Sequence, residues 1–259
     1  MASPRSSAGD PETTLSLLWR SNAAPRRGPA RGLQLDEVVG GATALADSKG
    51  LDAVTMRALA TALGVTPMAL YTYVPGRAEL VDLMLDTAYQ RLARPDLSGL
   101  RWQERVAAVA AGNRGLYERH PWASTVSTLR PPLGPGLMAK YEHELTAFDD
   151  LGLTDLEMDD SLTYLLSFVQ ANARDAHDAR AARHESAMND EQWWHRNEPL
   201  LRRVLDPQAY PLASRVGTAA GTARGSAHDP DRAFEFGLAR VIDGLAALIA
   251  PRLASPEPR

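Results

Sequence analysis

Two stretches of this chain carry side chains whose types and spacing could do chemistry. The first, GVTPMALYTYVPGR from Gly64 to Arg77, sets a methionine, two threonines and two tyrosines along a segment with room for only about two helical turns. Hydroxyls, a thioether and an arginine on so short a helix suit contact with base edges and phosphate oxygens. The second, RDAHDARAARHE from Arg174 to Glu185, gathers Asp175, His177, Asp178, His184 and Glu185. Its two histidines stand seven apart and share a helix face, where a carboxylate could complete a metal site. A solvated charged face has the same composition, so neither a metal nor any other cofactor is assigned. No His, Ser and Asp spacing supplies an acid, base and nucleophile, and the absence of cysteine removes thiolate chemistry and disulfides. Catalysis is therefore not expected.

The elements that position these residues belong to a chain of 259 residues, 44% hydrophobic, long enough for one large domain or two modest ones. No apolar run approaches bilayer length, and LSLLW near the start is too short and wrongly flanked for a signal peptide. A cytoplasmic protein without a membrane partner is the expectation. The net charge of -4 does not announce a nucleic-acid binder, so any such activity needs a local basic patch. Positive charge is almost wholly arginine, Lys49 and Lys140 being the only lysines.

Periodicity predicts an all-α fold. Residues 1–34 read as a mobile arm, basic at Arg26, Arg27 and Arg31. Residues 35–94 read as helix, helix, tight turn, helix, helix. Val38, Val39, Ala42, Leu45 and Ala46 mark the first of these. Thr55 caps a second, which ends at Gly64; Thr66 caps a third, with Pro67 in its first turn and Pro75 forcing its end. A fourth runs from about Arg77 to Arg94. Residues 95–259 add helices at 102–119, 137 to about 150, 155–185 and 231–252, with a mixed, loop-rich segment at 189–230.

Wound at 3.6 residues per turn, the third helix turns Leu70 and Val74 to one side and Met68 and Thr72 to the other. Two inward anchors dock it, and the outer face keeps small or hydrogen-bonding groups. Set after a glycine turn at a steep angle to its predecessor, such a helix has the shape that enters a DNA major groove, with tyrosine hydroxyls reaching phosphates on either side.

The stretch MRALATALGVTPMALYTYVPGRAELVDLML resembles the helix-turn-helix segment of the TetR family of bacterial transcriptional repressors. The family pattern is Arg-x-hydrophobic-Ala-x-x-Leu-Gly-Val, then a short helix with Leu-Tyr-x-aromatic, then a basic residue and a hydrophobic helix. The match spans roughly residues 35–92 and combines order, spacing and residue type. It implies base or phosphate contact by Arg57 and base reading by Pro67, Met68, Ala69 and Thr72. It implies phosphate contact by Tyr71, Tyr73 and Arg77, and capping joined to phosphate contact by Thr55. Ala69 stands where the family often has Ser or Thr, leaving apolar contact with a thymine methyl. Tyr73 could instead pack half-buried, and the arm arginines could enter a minor groove or add only nonspecific affinity.

The resemblance further implies a helical ligand-binding and dimerisation domain in residues 95–259. The final helix, with the helix that opens at Asp155, is expected to build a homodimeric four-helix bundle, the alternative being an internal core. Candidate lining groups for a small-molecule effector are Asn113, Tyr117, Trp122, Met138 and Tyr141, together with Tyr164, Phe168, Asn172, Trp193 and Trp194. Aromatics mixed with amides suit a bulky, partly apolar molecule. The expected function is a ligand-released repressor on palindromic double-stranded DNA; an all-helical enzyme or a plain interaction protein are the alternatives.

Overall fold

The structure is a computed structural model, and it describes residues 4–21, 33–226 and 229–254. Among these residues every regular element is helical, and the one extended pairing is an isolated bridge between Arg5 and Ser127. The first half comprises α1 (Pro11–Leu18), α2 (Leu35–Lys49), a 3-10 turn at Leu51–Ala53, α3 (Met56–Leu63), α4 (Pro67–Tyr71) and α5 (Arg77–Gln90). Capping explains its short pieces. The Thr55 side chain accepts the Ala58 N–H at 3.1 Å, and Thr66 accepts that of Ala69 at 3.3 Å. Between them Gly64 closes α3 at φ 67°, a left-handed conformation that a side chain would strain. Leu59, Leu70, Val74 and Leu80 are fully buried beneath α4. Each contributes about 1.5–3 kcal/mol of apolar burial, enough to hold a five-residue helix that could not persist alone.

The second half comprises α6 (Trp102–Arg119), α7 (Pro121–Thr125), α8 (Pro135–Leu145) and α9 (Asp155–Ser186), then α10 (Asp190–Val204), α11 (Pro211–Arg224) and α12 (Pro230–Ala254). Its core lies between α6, α9 and α12, filled by Val106, Phe148, Leu162, Leu165, Val241 and Ile249. Tyr117 on α6 packs against both cores. Helix α5 is the hub: α1, α2 and α8 all pack on it, and buried residues run along it from Glu79 to Tyr89.

Four expectations change. Residues 4–21 are docked rather than loose: Asp10 caps α1, Pro11 opens it, and Leu18 enters the first core. The basic residues Arg26, Arg27 and Arg31 lie outside the described residues. Helix α5 stops at Gln90 rather than Arg94, because the Arg94 guanidinium turns back and donates to the carbonyls of Tyr89 and Gln90. Helix α8 stops at Leu145, which lets Ala147, Phe148 and Leu151 swing into the second core. Residues 189–230 hold two helices, α10 with an Asn189–Gln192 capping box and α11 with Pro211 at its start. Their periodicity is blurred because among the described residues α10 buries nothing and α11 buries only Gly221.

Candidate functional site

Two features stand out, an outward-facing short helix and a cavity. On α4, Met68 is 75% exposed and Tyr71 49% exposed, while Leu70 and Val74 are fully buried. Thr55, Arg57, Pro67 and Thr72 are also exposed, so six of the nine residues expected to touch DNA are open to solvent. Ala69 and Tyr73 are half-buried, Tyr73 packing against the first core. The Thr72 hydroxyl donates to the Ala69 carbonyl at 2.6 Å, which commits its proton to the helix and leaves the oxygen's acceptor capacity.

Arg77 does something the sequence did not reveal. Its Nε donates to the Val54 carbonyl at 2.9 Å and one Nη to that of Leu51 at 3.0 Å. Those carbonyls close the 3-10 turn ahead of α3, so Arg77 fastens the turn to the start of α5. Phosphate contact by Arg77 would have to use what remains of its fork.

The cavity, of about 760 Å³, lies between α5, α6, α8, α9 and the segment joining α7 to α8. This is within the usual size of a small-molecule site. Tyr89 from α5, Tyr117 from α6 and Lys140 from α8 meet on its wall. Lys140 Nζ pairs with Glu144 at 2.6 Å and stands 5.4 Å from the Tyr89 ring centroid, a cation–π contact. Burial pushes both tyrosine hydroxyls up, with nearby Glu144 adding to it, so each remains a neutral donor. Across the mouth, the Tyr141 hydroxyl donates to Asp159 at 2.8 Å and ties α8 to α9. The rim carries exposed apolar side chains, Leu129, Leu133 and Met138.

Of the ten expected lining residues, Tyr117, Met138 and Tyr141 are in this wall. Trp122 is not: it is 2% exposed, in the first core, and its Nε1 donates to Asp47 on α2 at 2.8 Å, joining the two halves. Asn113 is buried against Glu144, bonding its carboxylate, and Asn172 donates to the Pro230 carbonyl. Phe168 stacks on Phe234 within the second core. Tyr164 is exposed on α9. Trp193 is exposed, and Trp194 lines a separate hollow between α10 and α11, its ring against Gly221. Aromatic type does not by itself mark burial here, and only the helix packing decides which side chain borders a void.

Sequence reasoning missed Arg5, Tyr89, Lys140, Leu166, Gln170 and Arg174 in the wall. Tyr89 is a buried member of the first core on α5, and it also reaches the cavity. Gln170 and Arg174, one helical turn apart on α9, donate to the carbonyls of Ser124 and Val126 and so shape the wall segment. Among the described residues no group of three or more His, Asp or Glu side chains comes close enough to hold a metal ion. Asp175, Asp178, His184 and Glu185 lie on the exposed distal half of α9.

How cavity and short helix are joined is visible at α5. Asp86 accepts the N–H groups of Gly136 at 3.1 Å and Leu137 at 2.8 Å, capping α8. A Cβ added at Gly136 would stand 2.0 Å from the Asp86 carbonyl oxygen, so the two helices cross with backbones in contact. Helix α8, which supplies Met138, Lys140 and Tyr141 to the cavity, is thereby welded to α5, which follows α4.

Comparison with known proteins accords with this geometry. Residues 38–84 match the family model described as bacterial regulatory proteins, tetR family. Residues 94–249 match the tetracyclin repressor-like C-terminal domain. The HTH-type transcriptional repressor DrrR1 of Streptomyces coeruleorubidus is 37% identical over 255 residues, covering 98% of this chain and 92% of the relative. Among solved structures, the TetR family protein ActR of Streptomyces coelicolor in complex with actinorhodin superposes with a TM-score of 0.69 at 29% identity. That match covers 84% of this chain and 97% of ActR. Apo ActR gives a TM-score of 0.68 at 28% identity.

Proposed function

The chain belongs to the TetR family of transcriptional regulators, and from that premise we propose that it is a homodimeric repressor, released from a palindromic operator when a bulky, partly apolar molecule fills the 760 Å³ cavity. One observation carries the DNA-binding reading: α4 is pinned from beneath by Leu70 and Val74 while Met68, Tyr71 and Thr72 stay outside. Arg57, Pro67, Met68, Ala69 and Thr72 are its base-facing set, and Thr55, Tyr71, Tyr73 and Arg77 its phosphate side. The effector reading rests on the cavity and on the ActR–actinorhodin complex, whose fold this chain shares.

Release works through α5. A ligand between Tyr89, Tyr117 and α8 moves α8 against α9, and the backbone contact at Gly136 passes the displacement to α5. Two copies related by symmetry then hold their α4 helices away from the spacing of about 34–36 Å that successive major grooves require. The dimer surface is the outer face of α12 with the first half of α9, where Phe236 and Leu248 on α12 and Leu156 on α9 are exposed. Selection from a random duplex pool tests the DNA reading: a palindromic site should be enriched, with affinity falling steeply as salt rises. A pool that yields no enriched site would overturn it.

A further inference from the structure

Residues 4–9 run between α5 and the segment at 127–131 that walls the cavity, and Arg5 among them lines the cavity itself. The Ser6 hydroxyl donates to the carbonyls of Ser127 at 3.1 Å and Arg130 at 2.6 Å, and the Ser7 hydroxyl to that of Pro131 at 3.0 Å. On the other side the Ser7 N–H donates to both carboxylate oxygens of Asp82 on α5, at 2.9 and 3.1 Å. Gly9 lies so close to Glu79 that a Cβ would stand 2.1 Å from its Oε1. Further on, Trp19 Nε1 donates to the Leu133 carbonyl at 2.8 Å. The strap thus fastens the 127–133 segment, a wall of the cavity, to α5. It lies ahead of residue 38, where the match to the family's DNA-binding domain begins.

Arg5 sits in this strap, bridged to Ser127, and lines the cavity. The other lining charges are engaged. Lys140 is paired with Glu144, Asp159 accepts from Tyr141, and Arg174 donates through Nε and Nη2 to the Ser124 carbonyl. Among the described residues Arg5 has no carboxylate partner within ion-pair distance and no side-chain hydrogen bond, and it is exposed to the cavity's solvent. Among these residues Arg174 also lacks a carboxylate partner and Asp159 a cationic one within ion-pair distance, so the lining sets two guanidinium groups without an ion-pair partner against one such carboxylate. A planar guanidinium that is always charged, set beside apolar and aromatic groups, selects a flat apolar body bearing an anionic group.

We propose that Arg5 is a specificity determinant of the cavity, recognising a carboxylate, sulfonate or ionised phenol on an otherwise aromatic ligand. The proposal rests on the reading of the cavity as the effector site. Because Ser7 and Gly9 follow Arg5 directly onto α5, a ligand drawn to Arg5 also loads the strap, giving the cavity a second route to the DNA-binding half.

The test uses two fluorescent probes of one shape class and different charge, 8-anilinonaphthalene-1-sulfonate and uncharged N-phenyl-1-naphthylamine, titrated into the full-length protein. Arg5→Gln should weaken the sulfonate about fivefold and the uncharged probe less than about twofold, with Arg5→Lys recovering most of the loss. Thr163→Trp, an exposed position on the cavity wall, should abolish both probes while thermal unfolding shows an intact fold. If Thr163→Trp abolishes both and Arg5→Gln leaves the sulfonate unchanged, or weakens both probes equally, the role of Arg5 is overturned and the cavity reading stands. If Thr163→Trp leaves both probes bound as before, the cavity is not where they sit, and the proposal falls together with that reading.

Discussion

At the scale of single residues, Asp82 is the group whose chemistry the fold alters most measurably. It is fully buried on α5, and burial raises its pKa from 3.8 to about 6, the Ser7 N–H shared by its two oxygens opposing the shift and Glu79 adding to it. A carboxyl that titrates higher in the folded chain contributes stability below about pH 4 and loses it as pH rises through 6. The loss is about 1–3 kcal/mol. Asp86 is shifted in the same direction by burial, while Glu104 and Glu157, held low by hydrogen bonds, act below this window. Between pH 5 and 7.5 the melting temperature of Asp82→Asn should therefore gain on that of the parent chain; parallel melting curves against pH would contradict the assignment. At the DNA surface, Arg57→Ala should weaken operator binding by about tenfold. It would lower the salt slope by about one if the contact is to phosphate, or relax one base position if it is to a guanine. Tyr71→Phe should weaken all sequences alike, because a hydroxyl on phosphate carries no base information.

Helices add a mechanical argument. A five-residue helix persists because Leu70 and Val74 are buried under it, so Leu70→Ala should cost about 2–5 kcal/mol and abolish DNA binding along with the fold of that corner. The α5–α8 crossing is more informative, since it lies on the proposed path of release. Gly136→Ala forces a methyl group onto the Asp86 carbonyl and should cost about 1–3 kcal/mol of stability, read as a lowered melting temperature. By separating α8 from α5 it should also lower the effect of a bound probe on operator affinity; an unchanged probe effect in a gel-shift titration would remove α8 from the path. Buried acids explain why α5 makes this crossing: Glu79, Asp82 and Asp86 form one stripe, and the last two accept backbone N–H groups of the strap and of α8. A carboxylate so placed caps a neighbouring helix as an N-cap residue would.

For the whole molecule, the proposed release routes both the cavity and α4 through one helix, α5, so the effect of effector on operator affinity and of operator on effector affinity should be equal, about 1–3 kcal/mol for typical regulators. The two halves meet elsewhere as well: Asp47 on α2 accepts from Trp122 Nε1 and bonds His120 Nδ1 at 2.9 Å, which keeps α2 against α6 and α7. In the proposed function, dimerisation would supply the remaining requirement, two α4 helices on one face of the duplex. Leu248→Arg places a charge on the outer face of α12 and should yield monomers by sedimentation, with palindrome affinity falling toward that of a single half-site. A variant that stays dimeric would move the interface away from α12.

Local physics made much of this legible in the residues alone. Helix α6 was readable from Trp102 to Arg119, and so were the caps at Thr55 and Thr66, the glycine turn, and the division of α4 into Leu70 and Val74 inside and Met68 outside. Each depends on side chains within one or two turns of each other. The docked strap left a local trace in Asp10-Pro11-Glu12, but an eight-residue helix is marginal in water and holds only against α5. The cavity wall was legible only at Tyr117, Met138 and Tyr141, and the tie of Trp122 to Asp47 left no trace, because each depends on which helices cross and at what distance. Tyr89 and Trp122 are both large aromatics on buried faces; packing puts one beside a void and the other beside an aspartate 75 residues away, and periodicity carries no information about that difference.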